Sequence, residues 1–153
     1  MRALELKVPP VALVLLLGAI MWGAARLVPD GGFTLPGASF VAAAVTLLGA
    51  VLAVAGVVSF RRARTTVNPM HPETASRLVV AGVHRRTRNP MYVGMLLALL
   101  GWGLFLCNAL ALVVALAFVP LMNRLQIVPE ERALAARFGS AFDEYRRGVR
   151  RWL

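Results

Sequence analysis

Two clusters of charged and polar residues in this sequence could carry chemistry. The first is the run HRRTRNPMYVG at residues 84–94, where three arginines precede an Asn-Pro pair and a tyrosine. The second is the pair of adjacent acids Glu130 and Glu131. Acids and arginines brought together suit a small zwitterionic ligand that carries a cation, a carboxylate and a ribose. A carboxylate in such a site could also accept a proton from a reacting group.

Each cluster also has a purely structural interpretation, and the residues alone leave both open. Glu130 and Glu131 follow Pro129, and acids in the first turn of a helix interact favourably with the helix dipole. The arginines of residues 84–94 could equally anchor the chain to anionic lipid headgroups.

The elements that position these clusters are membrane helices. The chain is 59% hydrophobic, with a mean hydropathy of +0.71, whereas soluble domains are roughly 45–50% apolar. Three long runs contain no charged residue: 9–25, 31–60 and 89–123. A membrane-spanning helix needs about 20 apolar residues. The first and second runs are therefore each long enough for one helix, and the third is long enough for two. We predict an all-α, polytopic membrane protein with four membrane-embedded helices.

We expect the first two helices over Pro10–Val28 and Ser39–Phe60, followed by a short helical hairpin within Met91–Asn123. The first segment is too long for a signal-peptide core and lacks a small-residue cleavage site, so we expect it to be retained. In the second helix, Gly49 and Ala53 form a small-xxx-small pair that favours close helix packing. The expected turn of the hairpin is the cluster Gly101, Gly103 and Asn108.

The last 25 residues predict an amphipathic helix at the cytoplasmic surface. It begins at Pro129, and its apolar side chains recur at helical spacing. The members of this stripe are Leu134, Phe138, Phe142, Tyr145 and Val149. The whole chain, residues 1–153, is then one domain: two N-terminal helices over 1–60, and a loop, hairpin and C-terminal helix over 61–153.

The charge distribution predicts the sidedness of the chain. Of 17 basic residues, seven lie within 61–88 and seven within 124–151, whereas the loop 29–37 carries only Asp30. By the positive-inside rule, we expect both termini and the two polar clusters to face the cytoplasm. We expect the membrane to be a bacterial inner membrane. The net charge of +10 therefore indicates anionic membrane lipids as partners, not nucleic acid.

The hairpin predicts that the two clusters form one site. Its helices run out and back, so residues 89–92 must face residues 126–131 at the cytoplasmic border. The charge-free runs contain no acid and no Lys, Arg or His, which argues against a proton-coupled transporter. We predict no metal site.

The motifs also carry a resemblance to a known family. The segments LVVAGVHRRTRNPMYVG, GWGLFLCN and PEERALAARFGSAFDEYRRGVRR resemble the isoprenylcysteine carboxyl methyltransferases and the related phospholipid methyltransferases. The resemblance extends from about Thr65 to the C-terminus. It rests on the order and spacing of several motifs, above all an R-N-P-x-Y-x-G followed by E-E-x-x-L-x-x-x-F-G.

This resemblance implies an integral membrane enzyme that uses S-adenosylmethionine. It further implies that the cofactor reaches its pocket from the cytoplasm and that a lipophilic acceptor enters from the bilayer. Any deprotonation of the acceptor would need a base, and Glu131 or Glu130 is the nearest candidate. Arg88, the other candidate catalytic residue beside Glu131, is expected to pair with one of the two acids. The residues implied to bind the cofactor are Ser76, Arg77, Leu78, Val79, His84, Asn89, Pro90, Met91, Tyr92 and Glu130.

Three positions depart from the family pattern. Asn89 stands where many relatives have histidine, and His84 where an aromatic residue is usual. Gln126, the expected substrate contact, falls where the prenylcysteine enzymes carry an arginine. The expected reaction is methylation of an isoprenylcysteine carboxylate. The alternatives are a phospholipid amine, a small thiol, or a non-catalytic protein that kept the fold.

Overall fold

The computed structural model describes residues 4–66, 68 and 70–153, and within these ranges the chain forms five helices. Three are long and apolar enough to span a membrane, and Pro90–Leu106 is a shorter apolar helix. The chain is thus an all-α integral membrane protein, as predicted. The helices are α1 (Pro10–Leu27), α2 (Ala38–Arg62), α3 (Pro90–Leu106), α4 (Ala109–Phe138) and α5 (Ser140–Gly148).

The first two helices lie where the sequence predicts them, to within two residues. Helix α2 packs along α3 through small residues on both helices. A Cβ atom added at Gly49 would lie 2.6 Å from the carbonyl oxygen of Gly94 and 2.9 Å from Leu97 Cβ. The predicted close packing at Gly49 is therefore confirmed, and its partner is α3.

The turn of the hairpin lies at Cys107 and Asn108. Cys107 adopts a left-handed conformation (φ 47°), which ends α3. The Asn108 side chain accepts a hydrogen bond from Ala111 N–H (3.1 Å), which caps α4. It also donates to the Val28 carbonyl (3.0 Å), so the α1–α2 and α3–α4 turns lie at the same end of the bundle.

The prediction that Gly101 and Gly103 belong to this turn was wrong, because both lie inside α3. Their lack of a side chain allows neighbouring helices to approach. A Cβ atom at Gly101 would lie 2.9 Å from the Ala42 carbonyl oxygen in α2, and one at Gly103 would lie 2.6 Å from a methyl carbon of Leu112 in α4.

An α-helical stretch begins at Val128, within one residue of the predicted start at Pro129. It is not a separate helix, because it follows the preceding turns of α4 without a break. Proline has no N–H, and in a helix it leaves the carbonyl four residues earlier without its donor. That carbonyl belongs to Leu125, and it accepts a hydrogen bond from Leu6 N–H of the N-terminal segment (2.9 Å). A π-helical turn over Asn123–Ile127 absorbs the irregularity just before the two acids.

The expected single amphipathic helix is divided in two. Gly139 has φ +52° and ends α4, and α5 begins at Ser140. The break turns Phe142 into the protein, where its side chain is 2% exposed. The stripe thus faces the body of the protein from two helices.

Substitution of Gly49 by alanine should destabilise the α2–α3 pair, because the added methyl group meets backbone and side-chain atoms of α3. The cost of overpacking is about 1–3 kcal/mol, which should appear as a lower Tm in detergent. Gly18→Ala in α1 is the matched control, since a Cβ atom there has nothing within 4 Å. Equal Tm values for the two variants would contradict the close packing.

Candidate functional site

A cavity of about 690 Å³, including its open mouth, lies between the loop 63–89, the start of α3, the second half of α4, and α5. Its walls combine charged, polar and apolar side chains. They are Phe60, Thr66, Asn68, Pro72, Ala75, Arg77, Leu78, Val79, His84, Arg88, Asn89, Met91, Ile127, Glu130, Glu131, Leu134, Phe142 and Tyr145.

The loop wall is held in place by short polar contacts. Ser76 N–H donates to Thr65 Oγ1 (2.9 Å), and Ser76 Oγ donates to the Arg64 carbonyl (3.2 Å). These bonds fix the start of the segment 77–79 that lines the cavity. A 3-10 turn over Gly82–Arg85 then brings His84 to the cavity.

Glu131 lies between two arginines from distant parts of the chain. Arg88 Nη2 donates to its Oε1 (2.7 Å), while Arg151 donates through Nη2 to Oε2 (2.7 Å) and through Nε to Oε1 (3.1 Å). The side chains of Arg88 and Glu131 are only 10% and 12% exposed. Two cations and three charge-assisted hydrogen bonds therefore hold this carboxylate as an anion.

Glu130 has a different environment. Tyr92, which is 3% exposed, donates its hydroxyl to Glu130 Oε2 (3.0 Å), and the Gln126 amide is a hydrogen-bonding partner of the same hydroxyl. Among residues 4–66, 68 and 70–153, no Lys, Arg or His lies within ion-pair distance of Glu130. Of the two adjacent acids, Glu131 is thus paired with two arginines, whereas Glu130 is paired with none of the described cations.

The C-terminal segment Val149–Trp152 contacts the residues just before α3 and the π turn within α4. The Arg150 carbonyl accepts from Arg88 N–H (2.9 Å), and the Arg151 carbonyl accepts from Asn89 Nδ2 (2.9 Å). Trp152 Nε1 donates to Asn123 Oδ1 at the π turn (3.1 Å). The segment thereby joins both sides of the hairpin around Glu131.

His84 is a buried imidazole, 2% exposed, whose two ring nitrogens have no hydrogen-bond partner among the residues described. Its backbone carbonyl accepts from the Tyr145 hydroxyl (2.8 Å), and its ring meets the edge of Phe60 with centroids 5.0 Å apart. Burial lowers the pKa of His84 to about 4 and raises the pKa of Tyr145 to about 12. Both side chains are therefore neutral at physiological pH.

Most of the residues predicted for the site come together, and Arg88 pairs with Glu131 as expected. Ser76 supports the loop from behind, Pro90 begins α3, and Tyr92 and Gln126 lie behind Glu130 without lining the cavity. The predicted residues on its walls are Arg77, Leu78, Val79, His84, Arg88, Asn89, Met91, Glu130 and Glu131.

Sequence reasoning missed Arg151 and Trp152 and did not assign Tyr145 and Phe142 to the site. The last two are members of the predicted apolar stripe, so that stripe was the available signal. No pattern marks Arg151, because it follows α5 in a short segment without periodicity.

Comparisons with known proteins agree with the resemblance read from the motifs. Residues 38–141 match the phospholipid methyltransferase family. An uncharacterized protein of Haemophilus influenzae is 43% identical over 63 residues, which cover 41% of this chain and all of that protein.

Two rice proteins, from Oryza sativa subsp. indica and subsp. japonica, carry the name probable protein-S-isoprenylcysteine O-methyltransferase. Each is 33% identical over 114 residues, which cover 72% of this chain and 58% of the rice protein. The chain therefore spans a little over half the length of these relatives. No solved structure matches it.

Replacing Arg151 by alanine should loosen the site, because Glu131 would keep one arginine partner instead of two. Hydrogen bonds to charged groups contribute about 1.5–3 kcal/mol each. We expect faster amide hydrogen exchange across residues 84–92, measured by mass spectrometry. Arg150→Ala is the control, since Arg150 takes part through its backbone carbonyl. Equal exchange rates in both variants would contradict a role for the Arg151 side chain.

His84 should make the protein less stable in mild acid. Between about pH 6.5 and pH 4 only the unfolded chain takes up a proton at this residue, so stability falls by up to about 3 kcal/mol as the pH decreases through this range. In His84→Phe this part of the decrease in Tm should disappear. His71→Phe, which replaces an exposed histidine paired with Glu73, is the comparison variant. A wild-type profile in His84→Phe would contradict the buried neutral state.

Proposed function

Because this chain belongs to the phospholipid methyltransferase family, we propose that it is a membrane enzyme that transfers a methyl group from S-adenosylmethionine to a lipophilic acceptor at the cytoplasmic face. The main structural support is the pair of adjacent acids on one cavity wall. Glu131 is neutralised by Arg88 and Arg151, whereas Glu130 has no cationic partner among the described residues. Such a cavity suits a ligand that is itself cationic.

The residues present fit the parts of this cofactor. Phe60, Leu78 and Val79 offer an apolar wall for a flat base, and the unpartnered ring nitrogens of His84 offer a neutral donor and acceptor beside it. Arg77, an exposed guanidinium at the wall, can bind a carboxylate. Ser76, Pro90 and Tyr92 then support these contacts from behind the cavity surface.

When bound, the cofactor supplies an electrophilic methyl group, whose bond to sulfur breaks with its electron pair left on sulfur. The protein holds the acceptor in line with the methyl group and excludes water, which are the main requirements of an in-line methyl transfer. The contacts of Arg88 with Glu131 and of Asn89 with the Arg151 carbonyl fix one wall of the cavity relative to the other, and Met91 lines it.

We assign Glu131 a positioning role in place of the expected role as base. A carboxylate held by two arginines has a low proton affinity. Glu130 is the acid with which an acceptor such as an amine or thiol could exchange a proton. A carboxylate acceptor is already deprotonated at neutral pH and needs no base.

The first candidate acceptor is an isoprenylcysteine carboxylate, as in the name of the two rice relatives. The second is a phospholipid amine, which is favoured by one observation. Gln126 stands at the position of the substrate arginine in the prenylcysteine enzymes, and here it is uncharged, 1% exposed and directed to Tyr92. It therefore offers no cation to a carboxylate.

Purified protein should bind S-adenosylhomocysteine in calorimetric titration, and Glu131→Ala should weaken this binding by at least about tenfold. The variant leaves Arg88 and Arg151 without their anion, which disorders the cavity. Asp143→Ala, at an acid in α5 that does not line the cavity, should bind like the wild type. Absence of heat with both S-adenosylhomocysteine and S-adenosylmethionine would contradict the proposed function and favour a non-catalytic member of the family.

Membrane vesicles that contain the protein should transfer radiolabel from methyl-labelled S-adenosylmethionine to a lipophilic product. Base-labile label in a prenylcysteine product would identify a methyl ester, and base-stable label in phospholipid would identify an N-methyl group. Glu131→Ala vesicles are the control. Label confined to water-soluble thiols would contradict a lipophilic acceptor.

A further inference from the structure

We propose that Glu130 is the residue that makes this site select a cationic sulfonium ligand over its neutral thioether product. This inference rests on the proposed function and adds a physical basis for distinguishing substrate from product. It follows from the charges around the cavity and from the contacts of the Glu130 side chain.

The charges around the two acids are unevenly distributed. Arg88 and Arg151 both bind Glu131, at 2.7 Å each, and so share a single carboxylate. Neither forms an ion pair with the neighbouring Glu130. A carboxylate that is shielded from water and has no counter-charge is costly, and a cationic ligand removes that cost.

The orientation of Glu130 also suits this role. Tyr92 donates its hydroxyl to Oε2 and is itself contacted by Gln126, which orients the carboxylate. Its Oε1 accepts no hydrogen bond from the residues described, and Glu130 lies on the cavity wall. One carboxylate oxygen is therefore held by the protein, and the other is available to the ligand.

The consequence for turnover is a change in ligand charge. As the acceptor lone pair forms its bond to the methyl carbon, the electron pair of the old carbon–sulfur bond remains on sulfur, which becomes neutral. The attraction between Glu130 and the ligand then disappears. The structure thus provides a reason for the product to leave more readily than the substrate.

Two stable ligands separate charge from shape in a binding experiment. Sinefungin carries an ammonium group in place of the sulfonium, and S-adenosylhomocysteine carries an uncharged sulfur at that position. By calorimetric titration, the wild type should bind sinefungin at least about tenfold more tightly. Glu130→Gln keeps the size and the hydrogen bond from Tyr92 but removes the charge. It should lose this preference and bind S-adenosylhomocysteine within about twofold of the wild type.

Glu131→Gln is the matched control, because the adjacent acid is already neutralised. It should weaken the binding of both ligands by the same factor, so that the ratio of their dissociation constants stays that of the wild type. If Glu130→Gln left the ratio of the two dissociation constants unchanged, whether or not both ligands bound more weakly, the inference would be overturned. A wild type that binds both ligands equally well would also overturn it, a result that does not depend on the folding of any variant. Failure of the wild type to bind either ligand would instead contradict the proposed function.

Discussion

The ion pairs of Glu131 with Arg88 and Arg151 are the constraint on which the rest of this site depends. They join the end of the loop before α3, the second half of α4 and the segment after α5. Removing a carboxylate and a guanidinium from water costs several kcal/mol per ion unless both are well paired. The chain meets this condition with a second arginine and with backbone carbonyls that accept from Arg88. Loop, hairpin and C-terminal segment are therefore fixed relative to one another before any ligand binds.

The irregular part of α4 determines how the adjacent acids can differ so much. Neighbouring residues on a helix project about 100° apart, so one acid can face the arginines while the other faces Tyr92. The position of the two acids along the helix axis depends on the π turn and on Pro129. Pro129 has no N–H to donate to the Leu125 carbonyl, which instead accepts a hydrogen bond from Leu6 N–H. The N-terminal segment thus influences the site without touching the cavity.

Local pattern predicted the parts of this structure that depend on local forces. Charge-free runs located the helices, and the Asn-Pro pair correctly marked the start of α3 at Pro90. The juxtaposition of Tyr92 and Glu130 followed from the hairpin.

Long-range contacts were beyond such reasoning. The break at Gly139 leaves the apolar spacing unchanged, and the passage of α4 through Pro129 requires a donor more than a hundred residues away. The return of Arg151 to Glu131 has no periodicity to reveal it.

The shortness of α3 has a consequence for the relation between the protein and its bilayer. Its 17 residues extend about 26 Å, against a hydrocarbon thickness of about 30 Å. An apolar helix shorter than the hydrocarbon thickness is accommodated by flanking side chains that reach the interface, by oligomerisation or by thinning of the surrounding bilayer. The elastic energy of such thinning depends on acyl-chain length. Lipid composition is therefore coupled to the geometry of the cavity, even for lipids that never enter it.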